Sequence, residues 1–299
     1  MSSYTEARDV ASAVAALAAG ARPIAGGTDL VVGARHGKAP LPASLVGIHR
    51  IPGLSDITEA DGVIRIGSLV SHASILGSSV LTLAAPGLLD ASSIVGSHAT
   101  RANGTIGGNV MNASPAMDTG APLLCHGAGV VLTGPSGTRR VALEDLWTGP
   151  GRTSASPDEL MEAVELPAPP AGSGSAYVRL QYRRQMEIAV VGAAAYVELA
   201  GDGTIATARV AITALTPVIR RVPAAEAALE GHAADDAAAA EAAGLAAAEA
   251  ATPISDVRAS AAYRTAMAAV ISRRAVRAAV TRATGGTVTI PASDWSEQR

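Results

Sequence analysis

Two short stretches of this chain carry residue types that do chemistry together. The first is AGGTDL, Ala25 to Leu30, and the second is GTIGGNVMNASPAMD, Gly104 to Asp118. Each has a Gly-Gly pair, Gly26-Gly27 and Gly107-Gly108, followed by small polar side chains: Thr28 and Asp29 in one, Asn109 in the other. A pyrophosphate group needs backbone N–H donors aimed at it and no Cβ in the way, and glycine meets both needs. Small hydroxyl and amide side chains add further hydrogen bonds. Asp118, beyond Asn109, is placed to accept from a ribose hydroxyl or a ring N–H. Two such loops, about 80 residues apart, can clamp one dinucleotide from two sides.

A plainer reading stands beside this one: with 31 glycines in the chain, either Gly-Gly is also consistent with an ordinary turn. Neither loop has the glycine spacing of a Rossmann fingerprint or of a P-loop, so those two nucleotide sites are not predicted. The six histidines are scattered, without metal-ligand spacing. His72 and His98 fall near the proposed cleft but read as structural histidines before proton donors. Cys125-His126 is a thiol–imidazole pair only in sequence, since adjacent side chains rarely point at each other. A single cysteine can make no intramolecular disulfide and cannot hold an iron–sulfur cluster, which takes about four such ligands. No Ser-His-Asp set or carboxylate pair for hydrolysis stands out. Redox chemistry in this chain would use an organic cofactor, and no metal site is predicted.

The elements that must position the loops follow from periodicity and punctuation. Residues 5–20 read as an amphipathic helix with Val10, Val14 and Leu17 on one side. RPIAGGTDLVV passes from a short extended segment into the first Gly-Gly turn. ASLVGIHRI reads as a strand, and PGLSDITEADGVIRIGSLV as a hairpin turning at ADG, with Val63, Ile64 and Ile66 as strand residues. The segment from His72 to Gly96 reads as helix, break, helix. Gly104–Asp118, with its glycines and Pro115, is expected to be irregular rather than helical. GVVLTGPSGTRRVAL is a second hairpin, and EDLWTGPGRTSASPDELMEAVELP a loop leading into a strand. PAPPAGSGSA reads as a linker. Three strands follow, in AYVRLQYR, IAVVGAAAYVEL and GDGTIATARVAITAL. From Ala224 the chain is rich in helix formers, weakened at Gly231 and Gly244. A last amphipathic helix spans the DVRASAAYRTAMAAVISRRAVRAAVTRAT region, with Tyr263, Met267, Val270 and Ile271 at helical spacing. The chain thus divides into an α+β part to about residue 170 and a three-stranded sheet with C-terminal helices.

Composition narrows the function classes. Apolar residues make up 48% of the 299, enough for a sizeable core, while aromatics are 2% and phenylalanine is absent, so that core rests on Val, Leu, Ile and Ala. Net charge is −3, Lys38 is the only lysine, and no basic stripe argues for nucleic acid. The basic face RRAVR, Arg273 to Arg277, reads as solvated or as a dock for an acidic partner, and Asp235-Asp236 as solvated. The N-terminus is charged where a signal peptide needs an apolar run, and no run of about 18 apolar residues appears. A soluble cytoplasmic protein is expected.

AGGTDL and GTIGGNVMNASPAMD resemble the two flavin loops of the FAD-binding (medium) subunit of the xanthine dehydrogenase / carbon monoxide dehydrogenase family of molybdenum hydroxylases. RIGSLVSHASI, PDELMEAVELP, RRQMEIAVVGAAAYV and the final YRTAMAAVISRRAVRAA are similar to it as well, so the resemblance covers nearly the whole chain. It implies a two-lobed FAD-binding fold of the vanillyl-alcohol oxidase type over residues 1–170, with lobes about 1–55 and 56–170. A domain of a three-stranded antiparallel sheet with helices would occupy 171–299. By the family pattern, Ala25, Gly26, Gly27, Thr28, Asp29 and Leu30 with Thr105, Ile106, Gly107, Gly108 and Asn109 would cradle the pyrophosphate. Asp118 would bind the adenosine or ribitol side. Met161 would make a backbone contact. Arg179, expected among the cofactor-binding residues, falls where the family often has a lysine, and a guanidinium keeps the charge but changes its shape. Ile188 would either lie over the flavin ring or serve as a core strand residue. Ala99 and Ala102 depart from the family's amide pair, while Arg101 remains.

The function this resemblance implies is electron transfer inside a heterotrimer, expected as a dimer of heterotrimers. A large subunit would hold the molybdenum cofactor and a small one the 2Fe–2S clusters. This chain would carry FAD and reduce an external acceptor such as a quinone, NAD or O2. Two alternatives remain open at this level: a stand-alone flavin oxidase or reductase of the same fold, and a flavin-free scaffold.

Overall fold

The computed structural model describes residues 3–37 and 39–295, so Lys38 and the outermost ends of the expected domain ranges lie outside the described residues. Strands β1 (Ser3–Glu6), β2 (Arg22–Ile24) and β3 (Ser44–Gly47) form a parallel sheet in the order β1-β3-β2. Parallel neighbours need a crossover, and the helix Val10–Ala18 follows β1. Asp9 caps that helix with a reciprocal Asp9–Ser12 box, and Ala13, Val14 and Leu17 are its buried side. The expected helix over 5–20 therefore starts later than its periodicity implied, because Ser3–Glu6 pairs with Ser44–Gly47.

An antiparallel sheet comes next. Its strands are β4 (Ile57–Ala60), β5 (Val63–Gly67), β6 (Gly129–Gly134) and β7 (Gly137–Ala142). After a small hairpin of β8 (Trp147–Gly149) and β9 (Arg152–Thr153), β10 (Leu160–Pro167) completes the order β4-β5-β10-β6-β7. The β4–β5 turn is the expected one. Asp61 and Gly62 both have positive φ, 52° and 73°, as a two-residue hairpin requires. Ile64, Ile66, Val130, Leu132, Val164 and Leu166 bury one face of this sheet.

Between β5 and β6 the chain runs through six short helices: His72–Leu76, Ser79–Ala84, Pro86–Ser93, His98–Asn103, Ile106–Asn112 and Gly120–Cys125. The 72–96 region holds three helices where two were expected. Gly104–Asp118 is also not irregular throughout. Thr105 accepts the Gly108 N–H at 3.1 Å and starts a helix there, and Ala113, left-handed at φ 49°, ends it before Pro115.

The C-terminal part is a four-stranded antiparallel sheet, β11 (Ser173–Leu180), β12 (Val191–Leu199), β13 (Ile205–Thr213) and β14 (Arg220–Arg221). The expectation of three strands is corrected to four; the added strand has two residues and leaves no periodicity to read. The helices Pro223–Ala227, Ala237–Glu249 and Ala261–Ala283 complete this part, and their alanines pack into its core. The long helix buries Arg264, Ala268, Ile271, Ala275 and Ala279, whereas Tyr263, expected on the apolar stripe, is 43% exposed.

The two parts are bolted together by Asp90. Its carboxylate is fully buried and accepts from the Tyr177 N–H (3.0 Å), the Ala292 N–H (3.0 Å) and both Nη groups of Arg282 (2.6 and 2.9 Å). Among the described residues no helix is long and apolar enough to cross a membrane.

Candidate cofactor site

The two Gly-Gly loops, distant in sequence, meet in space. A Cβ on Gly26 would stand 1.8 Å from the Asn103 carbonyl oxygen, so only glycine allows this approach. Thr28 lies beside the same junction, its Oγ1 3.5 Å from where a Cβ on Gly104 would stand. Gly27 is left-handed, φ 68°. The N–H groups of Gly26, Gly27, Thr28 and Asp29 donate to no acceptor among the described residues. Successive unpaired amides around a left-handed glycine are the kind of donors a phosphate takes. Ala25 and Leu30, both half-buried, flank it.

The second loop is built differently. Its successive amides are all used inside the protein. Ile106 donates to the Val70 carbonyl (2.9 Å), Gly107 to the Ser68 carbonyl (2.9 Å), Gly108 to the Thr105 hydroxyl and Asn109 to the Thr105 carbonyl (2.9 Å). Gly107 is glycine because a Cβ there would lie 2.6 Å from the Ser68 carbonyl oxygen. What this loop offers a ligand is exposed Gly108 and the carboxamide of Asn109, whose Oδ1 accepts from the Thr119 hydroxyl at 2.5 Å and so leaves its NH2 end as a donor.

The first loop's open amides fit a pyrophosphate, and the second loop fits the role of an opposing wall.

Met161 is on β10, buried in the core and paired with Leu132. The register shifts between Met161 and Ala163, which leaves Glu162 as a bulge. The Glu162 carbonyl accepts the Ser68 N–H (2.8 Å), and Ser68 in turn holds Gly107. Met161 thus sits one residue from the support of the second loop, with its side chain turned into the core.

Asp118 and Arg179 are brought directly together. Asp118 Oδ2 accepts from Arg179 Nη1 at 2.8 Å and its Oδ1 from the Tyr177 hydroxyl at 2.8 Å. Burial pushes the Asp118 carboxyl up from the ordinary carboxylate range, and the Arg179 charge and the Tyr177 hydroxyl pull it back. Sequence reasoning missed Tyr177, whose hydroxyl has room only because residue 192 is glycine: a Cβ there would be 2.3 Å away. It also missed Gln181, which accepts from Arg179 Nε at 2.9 Å. Tyr177 stands two residues before Arg179, as a tyrosine does before the lysine in the resembled family, so a local signal was there; Gln181 belongs to no such motif.

Ile188 is not a strand residue. It lies in the loop between β11 and β12 and is 49% exposed. His72 is buried, with Nδ1 unpaired, and burial together with the Arg101 charge holds it down to about 4. His126 donates to or accepts from Ser175 Oγ at 3.1 Å and is likewise held down to about 4, by burial first and the Arg209 charge second. Cys125 is buried, and its thiol is pushed up by desolvation. No group of three or more His, Cys, Asp or Glu among the described residues is placed to hold a metal ion.

Comparison with known proteins places this geometry. Residues 1–169 match the family described as FAD binding domain in molybdopterin dehydrogenase, and residues 176–279 the CO dehydrogenase flavoprotein C-terminal domain. The chain is 36% identical over 213 residues to the carbon monoxide dehydrogenase medium chain of Afipia carboxidovorans, covering 70% of this chain and 73% of that one. It is 32% identical over 222 residues to the xanthine dehydrogenase FAD-binding subunit of Escherichia coli O157:H7, covering 72% and 75%. A solved carbon monoxide dehydrogenase from Hydrogenophaga pseudoflava, which lacks the Mo-pyranopterin moiety of the molybdenum cofactor, superposes with a TM-score of 0.89 at 33% identity, over 94% of this chain and 98% of that chain. A parallel and an antiparallel sheet bringing two glycine loops together, and a helix-covered C-terminal sheet, therefore belong to a protein of the FAD-binding medium-subunit family of molybdenum-containing dehydrogenases.

Proposed function

We propose that this chain is the FAD-binding electron-transfer subunit of a heterotrimeric molybdenum hydroxylase, working in the cytoplasm. Bound FAD would supply the redox chemistry, receiving electrons from iron–sulfur clusters of a small partner subunit and passing them to an external acceptor such as a quinone, NAD or O2. The hydroxylation itself would take place in a large subunit holding the molybdenum cofactor, and two such trimers would associate. The two N-terminal sheets would be the lobes of a vanillyl-alcohol oxidase-type fold, ending near residue 170.

The observation that carries this reading is the run of four open amides, Gly26 to Asp29, at the point where the loops touch. In this reading those amides donate to the pyrophosphate, with Ala25 and Leu30 fixing the ends of the loop. Thr105 to Asn109 form the facing wall, where Asn109 donates from its carboxamide. Asp118 holds the adenosine or ribitol side, and Met161 makes a backbone contact to the cofactor.

The test is the visible spectrum of the protein purified from its native host, with the co-eluting chains identified. Flavin bands, an iron–sulfur shoulder and two partner chains are the expected result. Flavin on a single chain would point to a stand-alone oxidoreductase. A colourless protein that takes up no added FAD would overturn the reading and favour a scaffold.

A further inference from the structure

Arg179 sits where the family often has a lysine, yet its guanidinium faces only protein. The side chain is 0% exposed. Nε donates to Gln181 Oε1, Nη1 to Asp118 and to the Glu187 carbonyl (3.4 Å), and Nη2 to the Ile94 carbonyl (3.2 Å) and to Gln181 Oε1. A guanidinium has five N–H donors, and all are accounted for. Asp118 and Ile94 precede the C-terminal sheet; Gln181 and Glu187 belong to the loop between β11 and β12.

That loop has a second tie, from the Met186 N–H to the Gly96 carbonyl at 3.1 Å. Met186 is left-handed, φ 54°, a conformation that persists in a non-glycine residue only where the surroundings enforce it. The loop also turns apolar side chains outward, Met186 at 57% and Ile188 at 49% exposure. Gly96 adjoins the helix His98–Asn103, whose other end carries the Gly26 contact. The loop and the glycine junction are thus one six-residue helix apart, roughly 9 Å at 1.5 Å per residue.

We propose that Arg179 is a positioning residue that does not touch the cofactor but fastens the 181–188 loop to Asp118 and Ile94, holding Met186 and Ile188 as an apolar lip beside the FAD site. The lip's role rests on the FAD reading above; the fastening does not. A lysine at this position, with a single nitrogen, serves Asp118 but cannot also reach Gln181, Ile94 and Glu187 in fork geometry.

The test uses the full chain without added flavin. Arg183 and Arg184 are exposed trypsin sites within the loop, and Arg139 and Arg140, exposed on β7, are internal controls. Cleavage at each is followed by mass spectrometry in wild type, R179Q, R179K and Q181A. The expected result is a loop-to-control cleavage ratio raised roughly ten-fold in R179Q, with R179K and Q181A between it and wild type. An unchanged ratio in these variants overturns the fastening. Should R179Q fail to fold, Q181A decides alone, because it removes the shared acceptor and leaves the Arg179–Asp118 pair intact.

A second arm adds FAD and records affinity and the visible circular dichroism of bound flavin. Positioning predicts that Q181A, which keeps the arginine, moves both in step with loop release. A released loop with an unmoved flavin signal overturns the lip. If wild type takes up no FAD, the cofactor reading fails while the proteolysis result stands.

Discussion

Replacing Asp90 with alanine should be among the most destabilising single changes in this protein. The carboxylate is fully buried and receives four hydrogen bonds, two of them from Arg282, whose side chain is only 9% exposed. Removing it strands a buried guanidinium and leaves the Tyr177 and Ala292 amides without acceptors. Breaking a buried pair by deleting one partner costs about 3–5 kcal/mol. Each kcal/mol moves the melting temperature of a chain this size by roughly 2–4 °C, so D90A should melt on the order of 10 °C lower. The assay is urea unfolding of wild type, D90A, R282M and the double variant, checked by thermal melting. The double variant should cost well under the sum of the singles, because the second truncation removes the charge that the first one stranded. A loss below about 1 kcal/mol for D90A, the scale of an exposed ion pair, would refute the claim that this carboxylate bolts the two parts together.

Three further outcomes are expected. Gly26→Ala drives a methyl into the Asn103 carbonyl and should weaken FAD binding by at least about ten-fold, a strain of 1–3 kcal/mol, while leaving far-UV dichroism intact; flavin-fluorescence titration checks it. His72 and His126 are neutral in the fold to about pH 4, but protonate near 6.5 when unfolded. Their folded values are depressed, so stability is full above about pH 6.5 and falls as pH drops toward 4; urea midpoints across that range should show the slope, shallower in H126Q. Thr105→Val removes the cap of the Ile106–Asn112 helix and should cost about 1 kcal/mol by denaturant midpoint.

The hairpins and the first glycine loop were legible because their signals are local. Asp61-Gly62 needs two positive φ angles, and AGGTDL carries its own turn chemistry. The helix at Ile106–Asn112 was not, since two glycines argue against it while its support comes from Thr105, Val70 and Ser68. The first strand was hidden in a helical pattern because its partner lies some forty residues away, at Ser44–Gly47. Gly107-Gly108 was legible as a site for close approach, but the approaching backbone turned out to be Ser68 of the protein itself. The partners of Tyr177 and Asp90 were beyond local reading. The carboxylate that Tyr177 reaches and the donors that Asp90 receives are brought in only by the fold, and alternation within β11 gives no sign that its tyrosine ends against a carboxylate.

The Asp90 knot also sets an order of events during synthesis. Its donors come from residues 177, 282 and 292, the last of them about two hundred positions downstream. Chains emerge from the ribosome N-terminus first, and long-range contacts close slowly. The full set of partners for the Pro86–Ser93 carboxylate therefore exists only once residue 292 has been made. Until the Ala261–Ala283 helix delivers Arg282, burying Asp90 under an apolar neighbour would leave its charge unpaired, which costs several kcal/mol. A residue costly to bury in the finished molecule thus acts, before completion, as a guard against premature closure.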